Sequence, residues 1–206
     1  MRNNYQYLDP DYAYTDPITG LLRNKENIDN DQLLTVFESM KCSIRLEELA
    51  KNPVKIENSS SLLIIHKYLF QDVYEWAGQK RTVEISKQGK QFFLTKFFDS
   101  GFAYIDNLIV EYRKIDPADK AGLARHLANL LDSINYLHPF REGNGRTQRE
   151  FLRTLALEKE YTLNLNPPDN ADVYERYMSG TIDGDVDKLA GLIGELLERG
   201  ERTIIV

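Results

Sequence analysis

Cysteine occurs once in the 206 residues, at Cys42. That excludes an intramolecular disulfide, and its place among helically spaced apolar residues marks a buried thiol. No His-x-x-x-His or Cys-x-x-Cys pattern occurs, so there is no basis for a permanent zinc site. No stretch approaches the roughly 20 apolar residues of a membrane span, and Met1 to Asp9 lacks the apolar run of a cleavable export signal. The expectation is a soluble protein that needs no membrane, in keeping with a reducing cytoplasm. Basic residues are in deficit, 26 Lys and Arg against 32 Asp and Glu for a net charge of −6. No sequence-wide surplus is available to neutralise a nucleic-acid backbone, so direct nucleic-acid binding is not expected. A Gly-x-Ser-x-Gly elbow is missing, which removes the serine hydrolases built on it. Repeats, low-complexity tracts and a composition break are also lacking, so residues 1–206 are expected to form one domain.

What is present is mostly helical periodicity. Residues 1–29, rich in Tyr, Asp, Asn and Pro, show no sustained period and predict an extended arm with turns at Asp16-Pro17 and Thr19-Gly20, wrapped on the core through its tyrosines. From about Asp29 to Ala50, Leu33, Leu34, Phe37, Met40, Ile44 and Leu46 recur at helical spacing, with Asp29, Asn30 or Asp31 as cap. Ser59 or Ser60 caps a second helix through Leu62, Ile65, Leu69 and Val73, which Gly78 should end. His66 within it has apolar neighbours and no second ligand at i+4, which favours a structural or surface role over chemistry. His126 has the same bland setting. The period then changes: Val83 and Ile85 alternate with polar residues, Ser86 to Lys90 reads as a turn, and Phe92 with Leu94 resume a strand, giving a β-hairpin over 81–94. Helices are expected over Phe97–Tyr112, Ala121–Leu137, Arg146 to about Tyr161, Ala171–Met178 and Asp185–Glu198. The fourth of the seven expected helices, with Leu123, Leu127, Leu130, Leu131 and Ile134 beside small alanines, suits the core.

Chemistry concentrates in residues 138–149, His-Pro-Phe-Arg-Glu-Gly-Asn-Gly-Arg-Thr-Gln-Arg. Pro139 disfavours helical geometry at His138, so the preceding helix stops there and leaves the imidazole at a loop entrance. Gly143 and Gly145 permit backbone that a side chain would forbid and bring a row of N–H groups to the start of a helix near Arg146, which is an anion site. Arg146 and Arg149 lie three apart in its first turn, where the macrodipole alone would favour acidic residues, so both are poised for one anion. Glu142 adds a carboxylate for a metal bound together with phosphates, since magnesium needs few carboxylates when phosphate oxygens share it. The imidazole suits removal of a proton from a hydroxyl near neutral pH. Together these residues point to transfer of a phosphorus-containing group.

This stretch resembles the signature of the Fic (filamentation induced by cAMP) family, H-P-F-x-[D/E]-G-N-G-R-x-x-R, at every fixed position. Leu69 to Gly78, Arg81 to Lys87 and the opening stretch from Asp16-Pro17 to Asn24-Lys25 extend the resemblance over most of the chain. It implies a mainly α domain of about seven to eight helices with one β-hairpin flap. It also implies protein adenylyltransfer: His138 as catalytic base, Glu142 holding Mg²⁺, and Gly143, Asn144, Gly145, Arg146 and Arg149 on the phosphates of ATP. Lys87 is expected near the nucleotide, and Asn135 as a nucleotide contact or, equally, a helix-terminal cap. The flap residues Val83, Glu84, Ile85, Ser86, Lys87 and Phe93 are expected to hold an extended target segment by strand addition and so align its Tyr, Thr or Ser hydroxyl. Gln88 and the lysines around it depart from the family's commoner glycine pair at the flap tip.

Many family members are restrained by a helix bearing [S/T]-x-x-x-E-[G/N]. The near match here, Ser179 to Gly184, has Asp183 for glutamate and an internal glycine, and reads better as a turn between helices. The resemblance therefore implies a separate small antitoxin carrying the inhibitory helix, with this chain the toxin of such a pair or an effector domain delivered to a host cytoplasm. Type II topoisomerase subunits are targets of the family's toxins. The alternatives are a Fic-fold transferase with another donor, phosphocholine or phosphate, and a catalytically silent binding module. Gly145 argues against the phosphate-transferring Doc-like relatives, which carry lysine there.

Overall fold

The computed structural model describes residues 5–87 and 89–200; Gln88, at the expected flap tip, lies outside them. Seven α-helices are found among the described residues: α1 (Asp31–Lys51), α2 (Ser61–Phe70), α3 (Phe98–Lys114), α4 (Lys120–Leu137), α5 (Asn144–Glu158), α6 (Ala171–Asp183) and α7 (Val186–Leu196). Three begin on side-chain caps. Asn30 accepts from Leu33 N at 3.0 Å, Asp119 from Gly122 N at 2.9 Å and Asp185 from Lys188 N at 3.0 Å, each satisfying an amide that the helix leaves orphaned. Helix α4 is the centre: Leu123, Leu127, Leu130 and Leu131 are fully buried, and α3, α5, α6 and α7 all pack on it. Helix α5 runs away from its C-terminal end and packs on α2 and α4, so the loop between α4 and α5 is held in the middle of the helical layer.

Three expectations about elements are corrected. The second helix stops at Phe70, not Gly78, because the chain turns there to bury Val73, Tyr74 and Trp76, with Val73 N and Tyr74 N bonded back to the Phe70 carbonyl. In α1 the residues Leu33, Met40 and Ile44 are exposed, while Leu34, Cys42 and Leu49 are buried. The inward face of α1 also carries Glu38 and Arg45, which meet Arg146 and Asp72 respectively, so hydropathy alone mistakes which face is inside. The arm is not irregular throughout: Tyr5–Leu8 form β1, which pairs antiparallel with β2 (Glu84–Lys87), itself paired with β3 (Lys90–Gln91). The register sets Tyr5 opposite Lys87, Gln6 opposite Ser86, Tyr7 opposite Ile85 and Leu8 opposite Glu84.

The hairpin is thus the inner part of a three-stranded sheet. Ser86, Lys87 and Lys90 belong to strands where a turn was expected, and Phe92 to Leu94 lie beyond β3. A short pair, β4 (Tyr161–Thr162) with β5 (Glu198–Arg199), was not expected. The arm's other half turns at Asp16 as expected, its carboxylate accepting from the amides of Ile18 and Thr19 at 2.9 Å each. Among the described residues no helix is long and apolar enough to cross a membrane.

Candidate active site

A cavity of about 620 Å³ opens where the α4–α5 loop, the α5 N-terminus, the flap and α6 meet. His138 is the last residue of the α4 turn, with φ 45°, in the left-handed region. Pro139 bars a further helical turn, and the amide of His138 closes the helix on the Ile134 carbonyl at 3.0 Å. The ring is 7% exposed, stacks on Phe92 at 3.9 Å, and its Nδ1–H donates to the Asn135 carbonyl at 3.2 Å. That bond fixes the tautomer and leaves the lone pair on Nε2. Burial, with Arg81 and Lys87 nearby, pushes the imidazole down to about 3, so it is neutral. Bound polyanionic phosphates would oppose that depression.

The motif loop is held from outside by groups the motif does not contain. His66 Nε2 donates to the Glu142 carbonyl at 3.0 Å, Gly78 N donates to His66 Nδ1 at 2.8 Å, and the His66 ring stacks on Phe140 at 3.8 Å. His66 is therefore structural, its pKa lowered by burial to about 3. Arg81, whose side chain is 0% exposed, donates to the carbonyls of His138 at 2.8 Å, Val83 at 2.6 Å and Phe93 at 2.6 Å, tying the flap to the α4–α5 loop. Gly143 has φ 82°, and a Cβ there would lie 2.4 Å from the Phe70 ring, so glycine is required twice over. The Glu142 carboxylate is 38% exposed toward the cavity and accepts from Gly143 N at 2.9 Å. Burial and the neighbouring Glu38 carboxylate raise its pKa.

The two arginines diverge. Arg146 Nη2 meets Glu38 at 2.6 Å and Glu142 at 3.7 Å while its guanidinium lies over Phe70. Arg149 lies over the rings of Tyr174 and Tyr177 and has no carboxylate partner among the described residues. Both line the cavity, with Gly145 between them and Lys87 from the flap, whose burial lowers its pKa. Asn135 also lines it, but its Nδ2 donates to the Thr181 carbonyl at 3.0 Å, so it bridges α4 to α6 and does not cap α4.

Two expectations for side chains change. Asn144 is buried and spends its amide on the loop itself: Oδ1 accepts from Phe140 N at 2.9 Å and Nδ2 donates to the Phe140 carbonyl at 2.8 Å. Its side chain thus shapes the turn at the start of α5, and the residue lines the cavity. In the flap, Val83 and Ile85 are buried in the core, Phe93 packs edge-on against Tyr136, and Glu84 accepts from Thr95 Oγ1 at 2.6 Å, so these four do not face an incoming segment through their side chains. Of the flap residues named, only Lys87 lines the cavity, while Ser86 is half-buried on β2.

Sequence reading missed Glu38, Arg81 and Tyr7. Nothing local marks Glu38, and Arg81 is marked only as the first residue of a family-like stretch, without a role; both act across the fold. Tyr7 carried a signal in the alternation of Tyr5-Gln6-Tyr7-Leu8, a period of two. Its ring lies 3.3 Å from the Arg141 guanidinium carbon and lines the cavity, and burial pushes the hydroxyl up to about 12.

Comparison with known proteins places these features in a family. A model described as Fic/DOC family matches residues 57–156. The protein adenylyltransferase VbhT of Bartonella schoenbuchensis is 36% identical over 73% of this chain, which spans 32% of that protein's length. The "Probable protein adenylyltransferase y4lH" of Sinorhizobium fredii is 33% identical over 81% of this chain and 88% of its own. The crystal structure of the effector BepC from Bartonella tribocorum, with bound AMPPNP, superposes with a TM-score of 0.80 at 18% identity, covering 92% of this chain and 98% of that one.

Proposed function

The chain belongs to the Fic/DOC family, and on that footing we propose that it is a protein adenylyltransferase moving AMP from ATP to a Tyr, Thr or Ser hydroxyl of a target protein. One observation carries the reading: a neutral imidazole with a fixed tautomer faces the same cavity as a helix N-terminus flanked by Arg146 and Arg149. His138 Nε2 takes the proton of the target hydroxyl, whose oxygen attacks the α-phosphorus of ATP as the bond to the β-phosphate breaks. Arg146, Arg149 and the amides at the start of α5 hold the charge that gathers on the leaving pyrophosphate. Lys87 approaches the nucleotide from the flap side.

Glu142 would hold the Mg²⁺ that accompanies ATP. The residues fit that ion: one accessible carboxylate, and among the described residues no cluster of three or more His, Cys, Asp or Glu, suit a metal that takes its other oxygens from phosphates and water. When bound, the ion neutralises phosphate charge and orients the phosphates.

Residues 1–206 are read as one catalytic domain acting where ATP is available, in the cytoplasm of its own cell or of a host. Ser179 to Asp183 form the end of α6 and not the turn expected from the sequence, but Asp183 bonds Lys188 Nζ at 3.0 Å, which supports a separate antitoxin as the source of an inhibitory glutamate for Arg149. Type II topoisomerase subunits are the first targets to try.

Incubating the purified chain and His138→Ala with cell lysate and Mg²⁺, first with α-phosphate-labelled and then with γ-phosphate-labelled ATP, tests the activity. Label on a lysate protein from the α-labelled donor alone, lost with His138→Ala, is the expected result. Label from the γ-position would replace this reading with a kinase.

A further inference from the structure

With the α-phosphorus at His138 and the leaving phosphates at Arg146 and Arg149, the ribose and base are left the remaining wall, where α4, α6 and the flap close the cavity. On the cavity face of α4, Asp132, Asn135 and His138 follow at intervals of three residues, which sets Asp132 roughly 9 Å from His138 along the helix axis. Met178 and Ile182 of α6 line the same end with Tyr136, an apolar slot that a flat ring fills. Asp132 Oδ1 lies against the turn that ends α6: a Cβ on Gly184, another lining residue, would stand 3.6 Å from it. The carboxylate has no hydrogen bond or ion pair among the described residues, and burial without compensation raises its pKa. Asn135 is fixed by the bond from Nδ2 to the Thr181 carbonyl, which leaves its Oδ1 as a second acceptor. Two side-chain donors at this end are already committed, Asn135 Nδ2 in that bond and the Thr181 hydroxyl to the Met178 carbonyl at 3.0 Å.

We infer that Asp132 selects the base of the nucleotide, its carboxylate accepting from the exocyclic 6-amino group of adenine with Asn135 Oδ1 as the second acceptor. The inference rests on the adenylyltransferase assignment above. An amino group brings two N–H donors to these two acceptors. A 6-oxo base, guanine or hypoxanthine, turns a carbonyl oxygen to them instead, and its lone pairs are repelled. Hydrogen bonds to an ionised acceptor are about twice as strong as neutral ones, so the carboxylate carries most of the selection. Asp132 stands six residues before His138 and apart from the phosphate-facing start of α5, so it acts on nucleotide affinity and not on the transfer step.

The test is calorimetric titration of the full chain, at constant Mg²⁺, with ATP, with purine riboside triphosphate, which lacks the amino group, and with the triphosphates of inosine and guanosine. ATP is expected to bind about tenfold or more tightly than the other three, the worth of one hydrogen bond to a charged group. Asp132→Ala should weaken ATP to the level of purine riboside triphosphate and leave the latter's affinity unchanged. Asp132→Asn, whose amide can turn a donor to the base, should bring inosine triphosphate closer to ATP. Equal binding of ATP and purine riboside triphosphate by the parent chain overturns the inference, as does a preference that survives Asp132→Ala or guanosine triphosphate binding as tightly as ATP. Should a lysate protein still take the α-phosphate label in a His138-dependent way, those outcomes leave the adenylyltransferase reading standing. A chain that binds none of the four overturns both.

Discussion

At the scale of single residues the two motif glycines differ in what they exclude. A methyl group at position 143 meets the Phe70 ring at 2.4 Å in left-handed backbone, whereas at position 145 it meets the Arg149 Nη1 at 3.3 Å, the far end of a flexible side chain, and the Tyr177 hydroxyl at an ordinary 3.8 Å. Gly143→Ala is expected to lose about 1–3 kcal/mol in urea denaturation. Gly145→Ala should keep full stability and lose label transfer, because the added methyl stands at the phosphate-facing helix start. Equal destabilisation of both would mean that the loop is held by something other than the Phe70 contact. His138, Glu142 and the arginines were legible as a cluster because residue type and spacing mark them, and the fold brings them to one cavity. Asn144 was legible as important but not in its role, since its bonds run backward to Phe140. Glu38 was illegible: it sits among residues of helical period, and only the packing of α1 brings it to Arg146.

At the scale of elements, the helices could be read because apolar periodicity and caps are local, and α4 was found as the core helix from its leucines. The α1 face was misread because charged pairs share its inward side, and β1 was missed because four residues with one alternation are a weak signal beside a Tyr- and Asp-rich arm. The position of the flap depends on Arg81, a single buried guanidinium bonded to three carbonyls. Arg81→Met removes every donor and leaves those carbonyls buried, at a cost of about 3–5 kcal/mol. Arg81→Lys should recover only part, since one ammonium cannot span the fork. Hydrogen exchange at the β2 amides, faster in both variants than in the parent chain, checks that the loss is at the flap. Unchanged β2 exchange would remove Arg81 from that role.

At the scale of the whole molecule, His66 and His138 are both held neutral by burial, at about 3, against roughly 6.5 in an unfolded chain. Between those values the unfolded chain binds more protons, so stability rises with pH and is lost as pH falls below about 6.5. Each histidine contributes at most about 1.4 kcal/mol per pH unit in that window. The raised pKa of Glu142 acts with the opposite sign and softens the slope. Urea midpoints measured from pH 7 down to pH 4 should therefore fall, and His66→Gln should lower the slope by up to one proton; a flat profile would contradict the burial of both rings. One consequence of the β1–β2 ladder is thermodynamic. Any foreign strand that docks on β2 must displace four residue pairs already formed, so docking is an exchange in which backbone hydrogen bonds lost and gained nearly cancel. Affinity at that edge is then left to the side chains, and a partner is selected by its sequence and not by its readiness to form a strand.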